Sequence, residues 1–279
     1  MLAIAYALAA GGCWGISDFT GGLLSRRLST LVVLLTIELS GLVVLLAVLA
    51  ATGASPPQGN DLLFALAAGA AGILGLGVFY RALAIGTMSI VAPISATGAI
   101  IPVVVGVASG DTLTLLIGLG LAVTMAGVIL ASREQHEDER VASRASIGLA
   151  LLAAAGFGSF FVLYDRASED SVLWAMLCIR GVAVPLVGGA VLLRRPAAPS
   201  PRDMGILSVA GLLDLGATGL YALANREGAV SIVGVVGSLY PIATVLLARA
   251  VLGERIRPLQ QAGVVLAFFG VGLISAGTA

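Results

Sequence analysis

Lysine is missing from this chain of 279 residues, histidine occurs once and cysteine twice, and charged residues make up only 11% of it. Each scarcity excludes something. So few charges cannot dress the surface of a soluble domain of this length, and with 59% apolar residues lipid has to be the solvent for most of the chain. The formal net charge is zero, which gives no electrostatic reason for a nucleic-acid or acidic partner. Arginine supplies all 15 basic positions, a feature read as coding bias rather than mechanism. The lone histidine, His136, lies in a mixed-charge run at 133–146 that reads as a solvated linker. No apolar run holds a histidine, no cysteine or serine has a base beside it, and no metal-ligand spacing occurs, so catalytic residues, metals and cofactors are not expected. Cys13 and Cys178 sit inside apolar runs and read as small hydrophobes. No G-x-x-x-x-G-K-[ST] sequence is present to cradle a nucleotide.

What is present is a series of ten apolar runs, at 2–24, 31–51, 62–82, 88–108, 113–132, 147–164, 172–193, 204–224, 230–250 and 260–276. About 20 residues are needed for a helix to cross a hydrocarbon core of about 30 Å. The runs are continuous rather than alternating, which excludes transmembrane strands and predicts an all-α integral membrane protein of ten helices. The first run carries Asp18 and no basic stretch before it, and reads as a retained helix rather than a leader.

The second half of the chain repeats the first. At an offset of 142, Asp61 falls on Asp203, Gly69 on Gly211, Gly77 on Gly219, Ala82 on Ala224, Gly86 on Gly228 and Ser89-Ile90-Val91 on Ser231-Ile232-Val233. At 143, Trp14-Gly15 falls on Phe157-Gly158, Gly110-Asp111 on Gly253-Glu254, Gly120 on Gly263 and Gly127 on Gly270. The adjustment is placed in the third and fourth helices. The division expected is a first five-helix repeat at 1–132, the linker, and a second five-helix repeat at 147–279. An odd number of helices per copy makes the second copy enter from the opposite side, giving the inverted repeat of alternating-access carriers with a site between the copies near the midplane. Glycine, 37 residues in all, lets helix backbones approach in lipid. Pro93, Pro102, Pro185 and Pro241 are placed to bend their helices. The loops after helices one, five, seven and nine hold Arg26, Arg27, Arg133, Arg140, Arg144, Arg194, Arg195, Arg202, Arg255 and Arg257, against Arg166 and Arg226 on the other face, which puts both termini outside the cytoplasm.

A charge at bilayer depth costs at least about 2.5 to 3.5 kcal/mol and so marks a protected, often functional, position. Asp18, Glu38, Arg180 and Asp214 are such positions; Arg81, near a helix end, reads as snorkelling. Asp214 and Arg180 lie at matched depth on adjacent antiparallel helices and are expected to pair. Asp18 and Glu38 lie at similar depth on the first two helices, where two carboxyls side by side would hold a proton. Glu38 has a second reading, in which it satisfies Ser40 or a nearby backbone group. Trp14, Gly11 and Gly15 share a helical face with Asp18, which offers a substrate an aromatic wall. Ser89, Ser95, Thr97, Ser231, Ser238 and Tyr240 are candidate neutral hydrogen-bonders, with bonding to their own backbone as the competing reading.

The pattern resembles the drug/metabolite transporter superfamily, specifically its ten-helix EamA-type branch. The resemblance rests on the duplication, Trp14-Gly15, Phe79-Tyr80-Arg81-Ala82 with Tyr221-Ala222-Leu223-Ala224, Pro93, and the Gly110-Asp111 and Gly253-Glu254 corners. It implies secondary transport of small metabolites or drugs, often export, through a central cavity lined by both copies, and it implies cytoplasmic termini, against the arginine distribution. The expected function is a carrier in the cell membrane that moves a small molecule, coupled to protons or to counter-exchange, with membrane lipid as its surroundings. Neither monomer nor homodimer is assigned by the sequence. A lipid-carrier flippase on the same fold is the alternative, with a membrane-embedded enzyme or a channel behind it.

Overall fold

The computed structural model describes residues 1–56, 61–85, 88–131, 144–252 and 258–277. Among these, all regular structure is helical: α1 Leu2–Leu24, α2 Thr30–Thr52, α3 Asp61–Ile85, α4 Met88–Ala96, a 3-10 turn Thr97–Ala99, α5 Ile100–Ala108, α6 Leu115–Ala131, α7 Arg144–Ala167, α8 Val172–Arg194, α9 Pro201–Glu227, α10 Val230–Gly237, α11 Tyr240–Leu252 and α12 Pro258–Gly277. The linker 133–143 with His136, Gly86, and the Gly253-Glu254 corner lie outside the described residues, as do the side chains of Ser89 and Pro93.

Among the described residues, six helices are long and apolar enough to cross a membrane: α1, α2, α3, α7, α8 and α9. The remaining passes are shorter apolar helices. Expected as continuous, the fourth and ninth passes are each broken near the middle. Proline supplies the cause, since it has no N–H for the carbonyl four residues back. Pro102 leaves the Gly98 carbonyl without that donor, at the 3-10 turn, and Pro241 does the same to Gly237, at the break between α10 and α11. Pro185 sits inside α8 without interrupting it. Helix ends follow local chemistry. Gly53, at φ +62°, closes α2 in the left-handed conformation that glycine adopts without penalty. Ser200 caps α9 by accepting from the Asp203 N–H at 3.1 Å, with Pro201 beginning the helix and Arg27 in an ion pair with Asp203.

Helix ends also reveal the repeat. Both α2 and α8 run 23 residues, and Thr30 and Val172, like Thr52 and Arg194, are 142 apart. The offset of 142 therefore already holds in the second helix of each copy, one helix earlier than the sequence matches place it. Packing follows the same relation. The most extensive contacts are α6 with α12, α3 with α7 and α1 with α9; then come α2 with α9, α3 with α8 and α2 with α8. Exchanging each helix for its repeat mate turns this set into itself. Ten membrane passes thus form two inverted five-helix repeats that interlock, and nearly every large interface joins one copy to the other.

Close approach makes the relation atomic. A Cβ on Gly15 would meet the Tyr240 carbonyl oxygen and the Ala243 methyl, each at 2.5 Å. A Cβ on Gly158, the mate of Gly15, would strike the Gly98 carbonyl and stand 2.6 Å from the Ile101 side chain. Gly98 and Ile101 are the mates of Tyr240 and Ala243 at 142. The outer faces of the bundle are apolar, with Val43 62% exposed, Leu63 66% and Phe269 60%, as lipid contact requires.

Candidate functional site

Arg180 projects from α8 with its side chain 3% exposed. Its Nη1 lies 2.7 Å from Glu38 Oε2 on α2, and its Nη2 lies 2.8 Å from Asp214 Oδ2 on α9. A planar guanidinium presents two donors at once, so one cation satisfies a carboxylate on either side. Alone at this depth any of the three charges would be prohibitive; together they offset much of their desolvation. Nη1 also reaches the Glu38 main-chain carbonyl at 3.4 Å. Arg180 therefore has two acidic partners where the sequence placed one. Glu38 is not taken up by Ser40, whose hydroxyl donates to the Thr36 and Ile37 carbonyls of its own helix. Asp18 and Glu38 do not form a mutual pair either, because Asp18 accepts from the Tyr80 hydroxyl at 3.2 Å.

Asp18, Glu38, Arg180 and Asp214 line one cavity, in which about 90 Å³ is open to the centre of a water-sized molecule. Roughly 10–15 Å³ on that measure holds one water, so the space suits several waters or one small solute. Ten of its fourteen described lining residues form pairs of repeat mates: Trp14 with Phe157 and Asp18 with Phe161 at 143, Glu38 with Arg180, Gly72 with Asp214 and Leu76 with Thr218 at 142. Glu38 and Arg180 are both mates and partners, so their ion pair lies on the axis that relates the copies. The aromatic walls obey the same relation. Trp14 stands 5.4 Å from Tyr221, and Phe157 stands 5.4 Å from Phe79, the mate of Tyr221. Phe160, Phe161 and Tyr164 extend the first wall, and Tyr240 the second.

Tyr240 is 4% exposed and lines the cavity, and its hydroxyl has no partner among the described residues. Ser95, Thr97 and Ser238 do not line the cavity. Their hydroxyls donate to the Val91, Ile94 and Val235 carbonyls at 3.0, 2.6 and 2.7 Å. Gly11 and Gly15, on the Asp18 side of α1, face the backbone of Gly237 and Tyr240 rather than the cavity. Arg81 is exposed. Reasoning from sequence missed Phe157, Phe160, Phe161, Met176, Ile179 and Thr218. The repeat carried a usable signal for two of these, since Phe157 and Phe161 are the mates of Trp14 and Asp18.

Comparison with known proteins bears on this arrangement at two levels. No curated protein matches the chain. A solved structure, described only as "Crystal structure of protein", superposes with a TM-score of 0.79 over 98% of this chain and 96% of its own, at 16% sequence identity, a likeness of fold. The sequence profile of the EamA-like transporter family matches twice, at residues 1–133 and 144–276. A helical bundle that duplicates itself around a charged cavity, with each copy carrying that profile, belongs to the EamA-like transporter family and is an integral membrane transporter of small molecules.

Proposed function

We propose that this chain is a secondary carrier of the cell membrane that moves a small organic cation or zwitterion by alternating access, as an exporter or exchanger coupled to protons or to counter-solute. The carrying observation is the composition of the cavity: three carboxyl groups, one guanidinium and aromatic walls on the axis between two inverted copies. A guanidinium already held by Glu38 and Asp214 leaves Asp18 as the acid whose only described partner is a neutral phenol. An ammonium group fits beside Asp18 and the free Tyr240 hydroxyl, with its apolar part against Trp14 and Phe157. A carboxylate on the same solute would compete with Asp214 for Arg180.

The test is a thermal-shift screen of purified protein against amino acids, quaternary amines, sugars and nucleosides, because a solute that binds the folded state raises its apparent stability. Amines or amino acids are expected to raise the melting temperature, and the rise to vanish in Asp18→Asn. Stabilisation by sugars or nucleosides alone defeats the assigned substrate class. Liposome uptake of the stabilising solute is expected to fall in Asp18→Asn and Asp214→Asn; uptake unchanged in both defeats the roles given to these acids.

A further inference from the structure

One helical turn beyond the cavity, toward the arginine-rich face, α3 lays Tyr80 against α1. The ring covers Gly21, where a Cβ would stand 2.5 Å from three of its atoms, and the hydroxyl donates to Asp18 Oδ1 at 3.2 Å. One turn beyond the cavity toward the other face, α7 lays Tyr164 against α9, and its hydroxyl donates to the Thr218 carbonyl at 3.2 Å. Both tyrosines are fully buried. The repeat relates these two places but swaps the helix that supplies the ring: Tyr164 is the mate of Gly21, and Tyr80 is the mate of Ala222 on α9.

These contacts also occupy the seams of the bundle. Extensive packing joins α1 to α9 and α3 to α7, whereas α1 touches α3, and α7 touches α9, only sparsely. Two firmly packed units can separate at either sparse seam without unpacking themselves, and beside the cavity one tyrosine hydroxyl bridges each seam, joined at the second by Phe161 and Tyr164 stacked on Tyr221 at ring-centroid distances of 4.8 and 6.4 Å.

We propose that Tyr80 and Tyr164 are the two gates of the cavity, one for each face, and that Asp18 ties only the Tyr80 gate to what the cavity holds. The acceptor for Tyr164 is a main-chain carbonyl, fixed in charge and direction by its helix. The acceptor for Tyr80 is a carboxylate that lines the cavity. A cationic group drawn to Asp18 competes with the phenol for the same oxygens, so occupancy loosens closure at the arginine-rich face and leaves the other closure alone. This rests on the carrier reading above.

Side-specific labelling tests it. With Cys13→Ser and Cys178→Ser as background, Ile179→Cys places a reporter thiol in the cavity, and an impermeant thiol reagent is applied to right-side-out and inverted membrane vesicles. Arg195→Cys and Asp170→Cys identify which face each preparation presents. Tyr80→Phe is expected to raise the labelling rate from the arginine-rich face by about fivefold, the scale of one buried hydrogen bond, without altering the other face. Tyr164→Phe is expected to do the reverse. Asp18→Ala, which leaves no acceptor, raises labelling from the arginine-rich face, and adding Tyr80→Phe to it gives no further rise, because both remove one interaction. Equal effects of the two tyrosine variants on both faces overturn the gates, and multiplicative effects of Asp18→Ala and Tyr80→Phe overturn the coupling. Transport measured in parallel keeps the readings apart: labelling that changes as expected while no solute moves upholds the gates and removes the carrier.

Discussion

Arg180 is held between Glu38 and Asp214 with its side chain 3% exposed, so its loss strands two carboxylates rather than deleting one contact. Arg180→Met is expected to cost about 3–5 kcal/mol, the scale for breaking a buried ion pair from one side, seen as a lowered melting temperature in detergent. Replacing all three together, Glu38→Met with Arg180→Met and Asp214→Met, is expected to recover much of that loss, since no uncompensated charge remains. If the single and triple variants melt alike, the cluster is not what makes Arg180 costly to remove. These charged positions were legible in the sequence because a charge at bilayer depth is expensive in any fold. Their partners were not. Glu38 and Arg180 stand on opposite copies, and nothing local in either helix says that their positions meet on an axis; only the offset of 142, applied to the second helix, brings them together. The hydroxyls of Ser95, Thr97 and Ser238 show the opposite limit, because a serine or threonine in a helix can reach its own backbone wherever the cavity happens to be.

Between helices, the small residues carry the register. Gly15 and Gly158 each let a helix run against the main chain at the broken pass of the other copy, and a methyl there has backbone in its way rather than a flexible side chain. Gly15→Ala and Gly158→Ala are each expected to destabilise the protein by about 1–3 kcal/mol, as overpacking does. Gly12→Ala and Gly148→Ala, where a Cβ meets nothing within 4 Å, are expected to leave the melting temperature within error. Equal losses at all four positions would mean that close approach does not set the response, since the better helix propensity of alanine acts in the opposite sense. Existence and order of the helices were readable from apolar run length alone, because lipid forces each crossing segment to satisfy its backbone internally. The breaks were only half readable. Four prolines marked four candidate bends, yet α8 continues through Pro185 while the fourth and ninth passes part near Pro102 and Pro241. What separates them is tertiary: the freed Gly98 and Gly237 carbonyls both sit where a helix from the other copy approaches, at Gly158 and Gly11.

For the molecule as a whole, inversion is the property on which the cavity, its walls and both gates depend, since mates meet on an axis between faces only if the copies run oppositely through the membrane. The loop after α1 and the loop after α7 are mates, with Arg27 corresponding to Asp170 at 143. Single cysteines at these two positions, Arg27→Cys and Asp170→Cys in a background of Cys13→Ser and Cys178→Ser, are expected to react with an impermeant reagent from opposite sides of the membrane. The arginine distribution places Arg27 in the cytoplasm, whereas the family resemblance places it outside; either result keeps the inversion and decides the orientation. Reaction of both cysteines from one side would sink it, because two copies entering the bilayer in the same sense would put Arg27, just past the end of α1, and Asp203, at the start of α9, on opposite faces. The ion pair between them could then not form.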